Sequence, residues 1–391
     1  MYPKVYLVYD NCFAIKRWIE PEDWMALIKD LGVFFVEAST DNEMDPLFEP
    51  REYMDDWAVR VMDLEKKHGM KVVNFYTGYQ TYRTAGFAHP DARIRRKLLE
   101  EWHKVLVDIA ARIKAGIGFS FFAIPEKILQ DPGKYGETKE TILSVMSELV
   151  AYAWERGRVP ISVEQMYAPH QPPWTIQGSK EYLRELCALT GKPSYITIDL
   201  GHQIGQRKFI RPSSSKIGEL LPRFRKGEWV ENLWLGPQSA YRLFFDAVKS
   251  SPAKDDGVIG RIEREMDGYP YLFAKDEDGD TYRWFEELGC YSPIVHMQQT
   301  NGITSSHAAF TRENNEKGII KGDKILRAIA ASYEKSAVEG MPPKCGEIYL
   351  SFELFAGNAD MNHDTLRKLR ESVEYWRQFI PKDGMELDRL L

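Results

Sequence analysis

Eight short apolar runs, rich in β-branched and aromatic residues, recur along the chain. Longer stretches separate them, with apolar positions falling three and four residues apart. The runs are VYLVYD from Val5, VFFVEAS from Val33, KVVNFYTG from Lys71, IGFSFFAI from Ile117, PISVEQM from Pro160, SYITIDLGH from Ser194, SPIVHMQQ from Ser292 and EIYLSFELF from Glu347. They are mostly apolar throughout rather than alternating, which predicts parallel strands buried on both faces. The stretch EPEDWMALIKDLG, Glu20 to Gly32, opens acidic and closes on glycine, which predicts a helix. Further helices are predicted to end at Gly69, Gly116, Gly157, Gly191 and Gly289, and two more to start near Asp323 and His363. Eight strands, each followed by a helix, predict an α/β fold: one (β/α)₈ TIM barrel spanning residues 1–391. An open doubly wound sheet is the rival, but its phosphate fingerprint GxGxxG is absent.

Two segments exceed the minimal pattern. Residues 203–279, after the sixth strand, carry helix-like SKIGELLPRF and PQSAYRLFFDAVKS; residues 300–322, after the seventh, form a polar loop. Insertions after strands fall on the catalytic face of a barrel, where loops build lids and binding walls.

Composition narrows the class. The formal charge of −6 argues against an extended nucleic-acid surface, which is normally basic. Cys12, Cys187, Cys290 and Cys345 are scattered, with no CxxC pair, so they read as reduced thiols rather than a structural zinc site. The N-terminal MYPKVYLVYD runs directly into a strand, with no signal peptide and no membrane-length apolar run, so the expectation is cytoplasmic with no membrane partner.

Candidate chemistry lies at the C-terminal ends of the last four strands, where barrel active sites sit. Glu164 ends the fifth, Asp199 the sixth, His296 lies on the seventh and Glu353 on the eighth. A lone carboxylate in an apolar run is costly, and as easily a salt bridge as a ligand. Four such groups on consecutive strands point to a shared cation. Three carboxylates and an imidazole suit one divalent ion, with Mn²⁺ first and Co²⁺, Mg²⁺ or Zn²⁺ as alternatives.

Glu at strand five, Asp-x-x-His at strand six, His at strand seven and F-E-x-F at strand eight resemble the xylose-isomerase-like barrels. The pattern is similar above all to their sugar isomerase and epimerase members of the tagatose 3-epimerase kind. NCFAIKRWIEPEDW and VEQMYAPHQPPWTI also resemble bacterial sugar-phosphate isomerases and epimerases. The resemblance implies Glu164, Asp199, His296 and Glu353 as metal ligands. It implies Glu164 and Glu353 also as the groups that move a proton on and off carbon, His202 as a substrate-binding catalytic residue, and a metal-stabilised enediolate. The chain departs from the tagatose pattern twice: His170 stands six residues after Glu164 in place of a glutamate, and QQTNGITSSH after His296 holds no arginine.

Secondary candidates for substrate contact are His170 and Trp174 in the loop APHQPPW, Gln298 two residues past His296, Lys16 after the first strand, and His307 in the seventh-strand loop. Glu37 and Tyr76 end strands two and three and read as pocket wall or core polar pairs. Arg207, Lys208, Arg211 and the run Ser213 to Lys216 form either a phosphate cradle or a helix cap in a solvated loop. The leading function is a metal-dependent isomerase or epimerase of a small ketose or ketose phosphate, the protein being a dimer or tetramer. A metal-dependent lyase eliminating across a 3-keto sugar or a C- or O-glycoside is the alternative. An abasic-site endonuclease is disfavoured by the acidic charge, and a non-catalytic barrel by the full ligand set.

Overall fold

A computed structural model of the chain describes residues 2–391 apart from 15, 78–84, 122, 251, 253 and 254. Gly78 and Phe122, at the end of the third predicted run and inside the fourth, lie outside the described residues.

The eight predicted strands form: β1 (Lys4–Asp10), β2 (Phe35–Ser39), β3 (Lys71–Thr77), β4 (Gly116–Phe119), β5 (Ile161–Glu164), β6 (Tyr195–Asp199), β7 (Ile294–Met297) and β8 (Glu347–Phe352). Each pairs in parallel with its neighbour in sequence, and β1 pairs with both β2 and β8, which closes the sheet into a barrel. The seam is long, running in register from Lys4 opposite Glu347 to Tyr9 opposite Phe352. Strands β4, β5 and β7 are buried at every residue, as parallel strands covered on both faces must be. A ninth strand, β9 (Met385–Glu386), has no counterpart among the predicted runs. It runs antiparallel to β1 at Lys4 and Val5, using the stretch of that edge that β2 leaves unpaired, since β2 pairs only with Val8 to Asp10.

The helices close over this barrel with their tryptophans inward. Trp24, Trp57, Trp284 and Trp376 sit on the helices Pro21–Asp30, Arg51–His68, Thr281–Leu288 and Asn362–Arg377, and each is at most 1 % exposed. Two of the predicted stops take left-handed φ to end their helices, Gly69 at 66° and Gly191 at 63°, whereas the helix expected to run to Gly116 ends at Ile113 with Lys114 as its left-handed cap, and Gly116 opens β4. Between β6 and β7 the chain forms the helices Ser214–Arg225, Gln238–Val248 and Asp255–Asp267 before Thr281–Leu288. The acidic stretch around Asp278 is a turn: Asp278 accepts from the Ile176 and Lys275 N–H groups, and Asp280 caps the helix that follows. No helix among the described residues is long and apolar enough to cross a membrane.

Candidate metal centre

Register decides which side chains meet at the mouth of the barrel. Asp199 on β6 lies directly opposite His296 on β7. Glu164 is the last residue of β5, and Glu353 follows the last residue of β8. One ligand atom from each of Glu164, Asp199, His296 and Glu353 falls within 4.8 Å of all the others, and all four residues are buried. His296 Nδ1 is 2.9 Å from Glu164 Oε1 and 3.3 Å from Glu353 Oε2. The four residues read from the strand ends therefore converge on one point.

The donor set fits a divalent cation. Three buried carboxylates in one apolar chamber repel one another and lack water to spread their charge. Glu353 Oε2 has no hydrogen-bond partner among the described residues although its surroundings are closed. Burial works against a charged His296, but Glu353, Glu37 and Glu164 outweigh it and hold the imidazole well above its usual range. Glu353 is likewise a contest: burial opposes ionisation, and His296 and His307 hold it well below the usual carboxylate range. A cation on the Nδ1 side of His296 would satisfy this acid cluster directly, with ligand atoms of the types divalent ions take.

The remaining predicted residues separate into two groups. His202 comes to the site: its Nδ1 reaches the Gln165 carbonyl at 2.8 Å, leaving Nε2 3.7 Å from Asp199 Oδ1. His307 comes too, with Nδ1 3.3 Å from Glu353 Oε2. Burial disfavours its charge, yet Glu353 beside it raises its pKa to about 9. Gln298 is at the centre but faces Asp199, because its Nε2 donates to both Asp199 oxygens at 2.8 and 2.9 Å and its Oε1 accepts the backbone N–H of His307. Asp199 is held further by the N–H groups of Gly201 and His202.

Three predicted residues stand apart from this cluster. His170 bonds the Ile124 carbonyl and lies 3.5 Å from Glu126. Trp174 is 4 % exposed, sits edge-on to Phe209 and lines a separate cavity of about 360 Å³ with Tyr135, Tyr182 and Tyr271. Lys16 donates to Asn358 in the loop after β8.

The structure adds groups the ligand pattern did not single out. Tyr76 donates its hydroxyl to Glu164 Oε2 and packs edge-on against the His296 ring. Behind that ring lie Asp10 and Glu37, paired in register, Asp10 at the end of β1 and Glu37 in the middle of β2 rather than at its end as expected, and respectively 1 % and 0 % exposed. Burial, then Glu37 and Glu353 nearby, push the Asp10 carboxyl well above its usual range. The signal for Asp10 was present, since VYLVYD ends in an acid just as PISVEQM carries one.

No protein-family model matches the chain. A Brucella abortus (strain 2308) protein named D-erythrulose 1-phosphate 3-epimerase is 29 % identical over 323 residues, or 82 % of this chain and 79 % of that protein. A candidate xylose isomerase from Rhodospirillum rubrum superposes with a TM-score of 0.67 at 18 % identity, covering 96 % of this chain and 99 % of that one. D-Psicose 3-epimerase from Clostridium cellulolyticum H10 superposes with a TM-score of 0.53 at 11 % identity, covering 96 % of this chain and 98 % of that one. The chain thus has the barrel fold of the xylose-isomerase-like proteins, a fold it shares with ketose 3-epimerases.

Proposed function

We propose that this protein is a divalent-metal-dependent epimerase of a small ketose or ketose phosphate, and that it inverts the carbon beside the carbonyl. The observation that carries the reading is the placement of two carboxylates about one imidazole. Glu164 and Glu353 both reach His296 Nδ1, at 2.9 and 3.3 Å, and each has its own proton-bearing neighbour, Tyr76 for Glu164 and His307 for Glu353. Inversion needs a group that removes a proton from one face of a carbon and another that returns one to the opposite face. A single base would serve a same-face transfer, which is the isomerase alternative.

A divalent ion held by Glu164, Asp199, His296 and Glu353 would act as a Lewis acid towards the substrate's carbonyl and adjacent hydroxyl oxygens. The chain's own groups supply the rest. Asp199 is pinned by Gln298 and two backbone N–H groups, so its carboxylate is fixed in position. His202 has Nδ1 committed to a carbonyl, which leaves Nε2 to meet a substrate hydroxyl. His307 brings positive charge beside Glu353, where the tagatose-type pattern has an arginine in the same loop.

The name of the Brucella relative favours a phosphorylated ketose, and a phosphate on the substrate would have basic side chains to meet after β6. Arg207, Lys208, Arg211 and Lys216 line a cavity of about 680 Å³ formed after β6 and rimmed by Gly302 and Ile303 after β7. Arg207 is clamped by the carbonyls of Gly279 at 2.7 Å and Gly302 at 3.3 Å, which leaves further N–H groups of its guanidinium for an anion.

Proton exchange in D₂O tests the reading. With Mn²⁺ present, deuterium is expected at the carbon beside the carbonyl of a four- to six-carbon ketose or its 1-phosphate, with an inverted epimer as product. Glu353→Gln is expected to slow this by roughly 10²–10⁴-fold, the span of general acid–base catalysis. Elimination products from a 3-keto glycoside, without exchange into any ketose, would replace epimerase by lyase.

A further inference from the structure

The metal-facing residues account for one side of the His296 ring only. Its other nitrogen, Nε2, lies 3.3 Å from Glu37 Oε2. Both residues are fully buried, and neither atom has a hydrogen-bond partner among the described residues. The second oxygen of Glu37 is engaged, accepting from Asn74 Nδ2 at 2.7 Å. Asn74 is 2 % exposed and comes from the next strand, β3. The Glu37 carboxylate is thus locked at one end and aimed at the imidazole with the other.

A neutral imidazole carries one proton. When Nδ1 gives its lone pair to a cation, the proton must sit on Nε2, and an acceptor there fixes both the tautomer and the ring angle. We infer that Glu37 is the positioning residue for this centre: it takes the Nε2 proton of His296 in a hydrogen bond, holds Nδ1 towards Glu164 and Glu353, and raises the basicity of that nitrogen for the metal. Asn74 sets the carboxylate's angle, and Tyr76 braces the ring from its edge with centroids 4.6 Å apart. The same geometry admits a competing role, because Asp10, Glu37 and His296 also bring one ligand atom each within 4.8 Å. The contact with His296 Nε2 favours the positioning role, since a second cation there would need the imidazole stripped of both protons to bind on both sides.

The inference rests on the metal reading above, and the test separates the two. The metal-stripped full chain would be titrated with Mn²⁺, following free ion by electron paramagnetic resonance, for wild type, Glu37→Leu and Glu37→Gln. One ion per chain is expected. Loss of the acceptor in Glu37→Leu is expected to weaken binding by roughly 10–100-fold, the usual cost of losing such a partner. Glu37→Gln keeps an acceptor oxygen without the charge and should fall between. In the Co²⁺ form, a strongly shifted, solvent-exchangeable imidazole N–H resonance should be seen by proton NMR in wild type and lost in Glu37→Leu. A misfolded variant would lose its metal-free thermal transition as well; should Glu37→Leu do so, Glu37→Gln decides alone. Wild-type affinity and an unchanged N–H signal in the variants overturn the role of Glu37 and leave the metal site standing. Two ions per chain, one of them lost with Glu37, also overturn it. A wild-type chain that takes up no divalent ion overturns the metal reading and this inference together.

Discussion

Gly201 shows how closely the centre is built at the residue scale. A Cβ placed there would stand 2.6 Å from the Gln298 amide carbon, so any side chain displaces the amide that holds both Asp199 oxygens. Gly201→Ala is expected to cost about 1–3 kcal/mol by overpacking, and to weaken Mn²⁺ binding because Asp199 loses its brace. Urea melts with chelator present, set beside a metal titration, read the two effects separately; an unchanged affinity would mean Gln298 can move without releasing Asp199. The cluster of Glu164, Asp199, His296 and Glu353 was legible in the sequence because a charge inside an apolar strand is costly until something of opposite charge meets it. The direction of their neighbours was not. Gln298, just past the end of β7, turns back onto Asp199, a rotamer choice that depends on β6. Trp174 reads as a candidate for substrate contact and is packed edge-on to Phe209, because the loop's path is set by tertiary contacts.

At the scale of elements, the barrel's outer layer is joined by a few multi-helix ion pairs. Glu287, on the helix Thr281–Leu288, meets Lys180 at 2.6 Å from the helix Ile176–Thr190 and Lys335 at 2.7 Å just past the helix Gly322–Glu334. Burial opposes ionisation of Glu287, but Lys180 and Lys335 outweigh it and bring its pKa down to about 2. A folded pKa below the unfolded value of 4.5 gives stability that is present above that pH and is lost as pH falls through about 2. Glu287→Gln is therefore expected to lower stability by about 1 kcal/mol at neutral pH, as a partly exposed pair allows. The gap to wild type should close in melts run towards about pH 2; a gap that persisted there would assign the effect to packing. Strands and long helices were readable because each carries its own periodicity. The two-residue β9 has none, and forms because β1 offers an unpaired edge. The π-helical turn Leu99–His103 lies within a run that reads as one helix, and a single inserted residue leaves no trace in the pattern.

For the whole molecule, the count of eight strands suggested a barrel, and the pairing of β1 with β8 closes it. All four candidate ligands come from β5 to β8 and the residues at their ends, the second half of the barrel. Tyr76, Glu37, Asn74 and Asp10, which stand around the His296 ring and Glu164, come from the first three strands. The His296 ring is thus a joint between halves. An ion gripped wholly by one half would therefore be felt across the other. Binding that favours the closed form adds to the free energy of every opening that breaks the joint. Backbone amides of β2 and β3, which touch no ligand atom, should exchange with deuterated solvent more slowly once Mn²⁺ is present, along with those of β5 to β7. Slowing confined to β5–β8 would mean that the halves breathe independently. If it spreads, the cofactor is also a clasp on the ring of strands, and losing it would loosen the barrel first along the seams that the ion never reaches.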